Sequence, residues 1–166
     1  MPAVTAGKSP NPRRVIDGES GVTQMAFDIA IRAAGEADLG LILNSWLKSY
    51  RNSDSMRTVT NDIYYSEIVG QKARILELMA KGKTLVACDP TDPEIVYAWA
   101  NIGRLNPPVV NYVYTKQVYR RQGIAKCILS SVGIEDGVPV WATHESRALR
   151  ELGKPYTYVP HWRPAC

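Results

Sequence analysis

The hydrophobic positions of this chain recur with two periods, and the places where the period changes divide it into elements. Residues 27–32 are apolar at every second position, as in a strand with one buried face. From Leu39 the spacing changes. Leu39, Ile42, Leu43, Trp46, Leu47 and Tyr50 recur at i, i+3, i+4 and i+7, which draws one apolar stripe down a helix, with Asp38 placed to cap it. Residues 51–60 are polar and predict a connector. A second helix is predicted over residues 61–81, with Ile68, Ile75, Leu76 and Met79 on its buried face and Gly82 as its stop. The period then returns to that of strands. Residues 84–88 and 95–100 flank a turn with two prolines, Asp89 to Glu94, and predict a hairpin. A further strand is predicted over 109–115, a helix over 125–132, a strand over 138–143, a short helix over 147–152 capped by Ser146 and closed by Gly153, and a last strand over 156–159. The element order is β-α-α-β-β-β-α-β-α-β.

Residues 1–25 are rich in Pro, Gly, Ser and Thr and have no periodicity. They predict a flexible leader ahead of a single domain over 26–166. The composition, 45% hydrophobic and 22% charged, is that of a folded soluble domain. No apolar run approaches the ~20 residues that span a bilayer, so no membrane association is expected. Cys88, Cys127 and Cys166 are scattered without metal-ligand or disulfide spacing, which predicts no metal and a reducing, cytoplasmic setting. The net charge of +4 is too mild to argue for nucleic acid, but it suits an anionic cofactor.

The chemistry concentrates at Arg120-Arg121-Gln122-Gly123-Ile124-Ala125, between a strand and a helix. The first N–H groups of a helix have no internal partners and point at whatever sits over its start. Glycine lets that backbone come close, and Arg120, Arg121 and Lys126 add positive charge. The ligand this favours is a phosphate or pyrophosphate. A solvated basic turn is the alternative reading.

The stretch reads R-x-x-G-x-A. With Val113, Tyr114, Thr115 and Tyr119 before it and the element order around it, the chain resembles the GNAT superfamily of acyl-CoA-dependent N-acyltransferases over about residues 27 to 160. The compact end of the chain also resembles GNAT-type proteins of tailed phages, too loosely to assign a role. The resemblance implies an α/β (α+β) fold. Its central sheet would be mixed but mostly antiparallel, with helices on both faces and a splayed fourth and fifth strand pair. It implies an N-acyltransferase that moves an acetyl group from acetyl-CoA to a primary amine by direct attack on the thioester. Gln122 to Lys126, with Arg120 and Arg121, would hold the pyrophosphate of coenzyme A. Val113 and Thr115 would pair their backbone groups with the pantetheine arm, much as an added strand does. The acceptor amine is not legible, and a homodimer is left open.

The family commonly protonates the leaving thiolate from a tyrosine in the last helix, in a pattern like A-x-x-x-Y-x-x-x-G-F. Counting back from Gly153, that position holds Leu149. Tyr156 and Tyr158 lie just beyond and are candidates for the acid, against packing roles. His144, at the end of the fifth strand, is a candidate base or substrate contact, because an unperturbed imidazole near ~6.5 suits proton transfer at neutral pH. It reads equally as a loop histidine. Glu145 reads as a base or as a complement to the next helix's N-terminus. Ser45, Ser49 and Arg51 lie where the family builds acceptor sites. Asp62 and Glu67 would line an acceptor pocket or form a solvated face. Trp46 and Cys127 read as core, and His161 as incidental. The missing tyrosine keeps a second reading open, a GNAT-like module that binds acyl-CoA without transferring the acyl group.

Overall fold

The computed structural model describes residues 28–53, 56–153, 155–160 and 162, apart from the side chains of 67–69. The 1–25 leader, His161, Cys166 and the side chains of Glu67 and Ile68 therefore lie outside the described residues. The strands are β1 (Ala30–Ala33), β2 (Lys83–Cys88), β3 (Val96–Leu105), β4 (Pro108–Thr115), β5 (Val140–Ala142) and β6 (Tyr156–Tyr158). The helices are α1 (Leu39–Arg51), α2 (Asn61–Lys81), α3 (Ile124–Ser130) and α4 (Arg147–Glu151). One sheet carries the strands in chain order. β1 to β4 form an antiparallel meander, and β5 and β6 join in parallel through the crossovers that contain α3 and α4. The fold is mixed α/β with a mostly antiparallel sheet.

Side-chain alternation along the central strands sends residues to two cores, one on each face of the sheet. On one face Leu85, Ala87, Ala98, Ala100 and Val113 meet Ile124, Ile128 and Leu129 of α3 and Leu149 of α4. On the other, Val86, Trp99 and Tyr112 meet Ile42 and Trp46 of α1 and Ile75 and Leu78 of α2. Trp46 stacks on Tyr112 with centroids 5.1 Å apart, the offset contact that aromatic rings favour. β2 and β3 are buried on both faces, so their sequences run apolar without alternation.

Several predicted bounds and roles shift. β1 starts at Ala30, three residues later than the alternation suggested, and β5 is shorter than 138–143. Asp38 stands at the N-cap of α1 but makes no cap bond to it. Its carboxylate instead accepts from the Gly35 N–H at 2.7 Å and from Arg32 Nη1 at 2.6 Å, and the Arg32 hydrogen bond holds it below the usual carboxylate range. The buried face of α2 is carried by Tyr64, Ile75 and Leu78, while Leu76 is exposed. Gly82 ends α2 with extended backbone, and its reason for being glycine is space. A Cβ there would lie 2.7 Å from the Ile102 carbonyl oxygen and 2.8 Å from that of Leu78. Cys127 is exposed on α3 and not a core thiol, because the buried face of this short helix is filled by Ile124, Ile128 and Leu129.

Candidate active site

β4 and β5 run together only near the start of β4 and the end of β5. Val109 pairs with Trp141 and Val110 with Ala142, and no further pair forms. The cause is a bulge. Asn101 of β3 pairs with Tyr112 and Ile102 with Val110, so Asn111 is an extra residue on β4, and such an insertion bends and twists the strand that carries it. Buried side chains fix the bulge in place. Asn111 Nδ2 donates to Asn101 Oδ1 at 2.6 Å, and Thr143 Oγ1 donates to Asn111 Oδ1 at 3.1 Å. Asn101 Nδ2 in turn donates to Thr84 Oγ1 at 2.8 Å. A buried amide without such partners would cost about 1–3 kcal/mol, so the network holds one arrangement of the bulge. Asn111 is thus a structural residue of the bulge.

Beyond the bulge, the backbone of β4 is open on one side. The Lys116 N–H donates to the Tyr97 carbonyl at 3.0 Å, which marks that pair as hydrogen-bonded across β3 and β4. Antiparallel pairs alternate, so Val113 and Thr115 turn their N–H and C=O groups away from β3 into the gap left by β5. Arg120 Nε reaches the Thr115 carbonyl at 3.2 Å. The two residues expected to pair with an extended ligand are those whose backbone groups face this gap.

The glycine turn closes one end of the gap. Arg121 and Gly123 both take left-handed backbone, φ 63° and 77°. Gly123 has nothing within 4 Å of where a Cβ would stand, so its left-handed φ and an open face, and not crowding by the protein, set the requirement there. The Cys127 N–H begins the α3 ladder at the Gly123 carbonyl, and the N–H groups of residues 121–126 meet no protein acceptor among the described residues. Consecutive free amides in such a turn form an anion-binding concavity. Arg120, Arg121 and Lys126 line the cleft of about 440 Å³ above it, together with Thr115 and Ala148. A second cleft of about 490 Å³ shares Thr115, Arg120 and Ala148 with the first and continues along β4 to Ser49 of α1, Asn52 just past that helix and Glu145 before α4. The result is a groove with cations and free amides at one end, an open strand edge in the middle and a polar chamber at the other end.

The proposed proton-transfer residues are distributed unevenly around this groove. His144 lies behind the chamber wall, 8% exposed, with Tyr50 and Tyr112 rings at 5.7 and 5.3 Å. Its Nε2 is 3.0 Å from Ser49 Oγ, and Ser49 is the residue that faces the chamber. Burial, with smaller contributions from Arg150 and Arg74, lowers the imidazole to about 4, so it is neutral at neutral pH. Tyr156 and Tyr158 line neither cleft. The Tyr156 hydroxyl donates to Glu145 Oε1 at 3.0 Å, and Tyr158 borders a small cavity on the far side of His144. Leu149 is 1% exposed and part of the core against β4. Ser146 caps α4 by accepting the Leu149 N–H at 3.1 Å, as its position before that helix predicts. Arg51 turns to Asn61 Oδ1 at 2.9 Å and braces the connector, outside the chamber. Asp62 is exposed at the start of α2 and lines neither cleft. The pairing of Ser49 with His144, 95 residues apart, escaped sequence reasoning; its one signal is that Ser49 adjoins Tyr50 at the edge of the α1 stripe and therefore faces the sheet.

The sequence matches no protein-family model and no curated protein. Solved structures similar to this chain include the PaiA N-acetyltransferase of Thermoplasma acidophilum in complex with coenzyme A. It is 15% identical, with a TM-score of 0.45, over 64% of this chain and 70% of that one. The histone acetyltransferase HPA2 and related acetyltransferase of Corynebacterium glutamicum is 17% identical, with a TM-score of 0.47, over 64% and 70%. The ribosomal-protein-alanine N-acetyltransferase of Brucella melitensis biovar Abortus is 10% identical, with a TM-score of 0.42, over 81% and 82%. The likeness is one of chain path, and the site is argued from its own geometry. Among the described residues no helix is long and apolar enough to cross a membrane.

Proposed function

We propose that this protein is an acyl-CoA-dependent N-acyltransferase of GNAT type that moves an acetyl group from acetyl-CoA to a primary amine. The observation that carries the reading is the parting of β4 from β5 after Val110, directly beside a turn of free amides and arginines. A diphosphate with an extended amide-bearing arm matches that sequence of surfaces. Gln122 to Lys126 take the pyrophosphate by their backbone, with Arg120 and Arg121 as counter-charges. The two amide groups of the pantetheine arm pair with Val113 and Thr115, which places the thioester at the mouth of the polar chamber. A β4 N–H at that point polarises the thioester carbonyl and stabilises the tetrahedral oxyanion, a contribution worth about 3–4 kcal/mol when one donor is removed from such a hole. The amine enters through the chamber and attacks the thioester directly. His144 is the proton-transfer group of this reading; it is neutral at neutral pH, and burial lowers its affinity for a proton. Tyr156, engaged by Glu145, and Tyr158, beside the far cavity, stand outside the groove and take no proton-transfer role in this reading.

The chemistry is tested by incubating the full chain with acetyl-CoA and a panel of amines: spermidine, 2-phenylethylamine, free lysine and a peptide with a free N-terminus. The reading expects stoichiometric free thiol and a product heavier by one acetyl group for at least one amine. Leu149, buried where the family carries its tyrosine, favours the second reading of an acyl-CoA-binding module that does not transfer. Bound acetyl-CoA with no acetylated product from any amine class would select it.

A further inference from the structure

The exposed or half-buried serines of this fold mostly spend their hydroxyls on their own helix or turn. Ser45 donates to the Leu41 carbonyl at 2.7 Å, Ser53 to that of Tyr50 at 2.7 Å, Ser66 to that of Ile63 at 2.7 Å and Ser131 to that of Ile128 at 2.7 Å. This back-bonding is the ordinary habit of serine in helices. Ser49 departs from it. Its hydroxyl crosses from α1 to His144 Nε2 at 3.0 Å, while Ser49 itself lines the polar chamber.

The geometry points to Ser49 and His144 as a proton-transfer dyad, with Ser49 the catalytic residue that meets the acceptor amine and the cofactor sulfur, and His144 the residue that acts through it. The inference rests on the acyl-transfer reading and supplies what that reading lacks. A neutral imidazole whose Nε2 carries no hydrogen accepts the Ser49 O–H, and the Tyr112 hydroxyl, which also interacts with Ser49, flanks the serine oxygen at the chamber. Tyr50 and Tyr112 fix the ring plane from α1 and β4. Tyr114 also lines the chamber, while three further groups nearby are engaged or carry no proton to give. Tyr112 Oη donates to the Ser45 carbonyl at 3.2 Å and is pushed up to about 12 by burial, Glu145 accepts from Tyr156, and position 149 has only an alkyl side chain.

The proton balance closes within the dyad. The amine nitrogen bonds to the thioester carbonyl carbon, and its N–H proton passes to Ser49 Oγ as the Ser49 hydroxyl proton passes to His144 Nε2. When the C–S bond breaks, His144 returns its proton to Ser49, and Ser49 protonates the departing thiolate. The products are the amide and the CoA thiol, and both side chains end as they began. An imidazolium is disfavoured where His144 sits, with Arg74 of α2 and Arg150 of α4 nearby, so the proton is held briefly and handed on.

The test uses the full chain, acetyl-CoA and the amine from the panel that gives the fastest thiol release. Ser49→Ala and His144→Gln each lower kcat by about 100-fold or more, within the range that general acid–base groups contribute, with acetyl-CoA affinity held within about twofold. The double variant is no slower than the slower single one, because groups acting as a unit are not additive. Ser49→Thr and Ser49→Val differ only by a hydroxyl, and the threonine variant is about tenfold or more faster than the valine variant by the same reasoning. In ¹⁵N spectra of the free protein, the His144 Nε2 signal is that of a bare nitrogen and shifts on Ser49→Ala. Circular dichroism checks the fold of every variant. Ser49→Ala or a folded Ser49→Val at near wild-type kcat, or multiplicative losses in the double variant, overturns the dyad and leaves the transfer reading standing. A wild type that binds acetyl-CoA and acetylates none of the amines overturns the transfer reading, and the dyad with it.

Discussion

Gly123→Asp is expected to weaken acetyl-CoA binding by about 100-fold, while Gly123→Ala weakens it by about tenfold, each 1.4 kcal/mol being a factor of ten. Two effects separate the variants. Gly123 holds φ at 77°, a conformation that costs an L-residue with a Cβ roughly 1–2 kcal/mol. Alanine carries that strain alone and shifts the turn away from its binding geometry. Aspartate adds a carboxylate beside the diphosphate, and a like-charge pair near a surface repels by a few kcal/mol at contact distance. Nothing in the protein stands within 4 Å of the new Cβ, so neither variant disturbs the packed core. Thermal melts lowered by only a few degrees in both variants, with the graded loss of affinity, are the expected pair of results. Equal affinity for wild type and Gly123→Asp would remove the phosphates from this turn.

A second large effect is expected from acid. His144 is lowered to about 4 from an ordinary value near 6.5, so the unfolded chain binds a proton that the folded chain refuses. Stability from this group is fully present above pH 6.5. It falls as pH drops from 6.5 and is exhausted below about pH 4, a total of about 3 kcal/mol at 1.36 kcal/mol for each unit. The groups that set it surround the ring on every side: Tyr50 of α1, Arg74 of α2, Tyr112 of β4, Arg150 of α4, and Tyr158 of β6 across the small cavity. Asp38 and Glu151 are held below the usual carboxylate range by Arg32 and Arg147, so their contributions fade at the acid end of the same window. Urea unfolding of wild type and His144→Gln at pH 7 and pH 4.5 separates the two sources. Wild type should lose most of the 3 kcal/mol beyond what the glutamine variant loses. Parallel losses in both proteins would show that the ring is charged in the fold or free of its burial. The same lowering predicts no inflection in kcat between pH 6 and 7 from this histidine.

Much of the fold was legible because local periods were strong. The α1 stripe and the span of α2 follow from the spacing of residues that pack on β2 and β3, and the strand–turn–helix junction at Gly123 from the change of period around a glycine. What the sequence did not carry is the pairing of distant parts. The bulge at Asn111 needs Asn101 and Thr143 beside it, and nothing in the β4 run itself marks an extra residue. Leu76 and Leu78 fit the α2 pattern about equally well, and only the docking of α1 and the sheet decides that Leu78 is buried. In the sequence His144 reads as a strand-end histidine. Its burial, and so its low affinity for a proton, depends on α1, α2 and β6 closing around it. Cys127 is exposed because a seven-residue helix has a narrow buried face, and its neighbours already fill it.

The central claim is that the gap between β4 and β5 is a coenzyme A groove. Equilibrium dialysis of the full chain against acetyl-CoA addresses it without requiring an acceptor. The account predicts one molecule bound per chain, with an affinity in the range of about 1 µM to 1 mM usual for enzyme substrates. Free CoA should compete, and Gly123→Asp should not bind at the same concentrations. No retention of acetyl-CoA by the folded wild type at millimolar concentration, or retention that Gly123→Asp leaves intact, would contradict it.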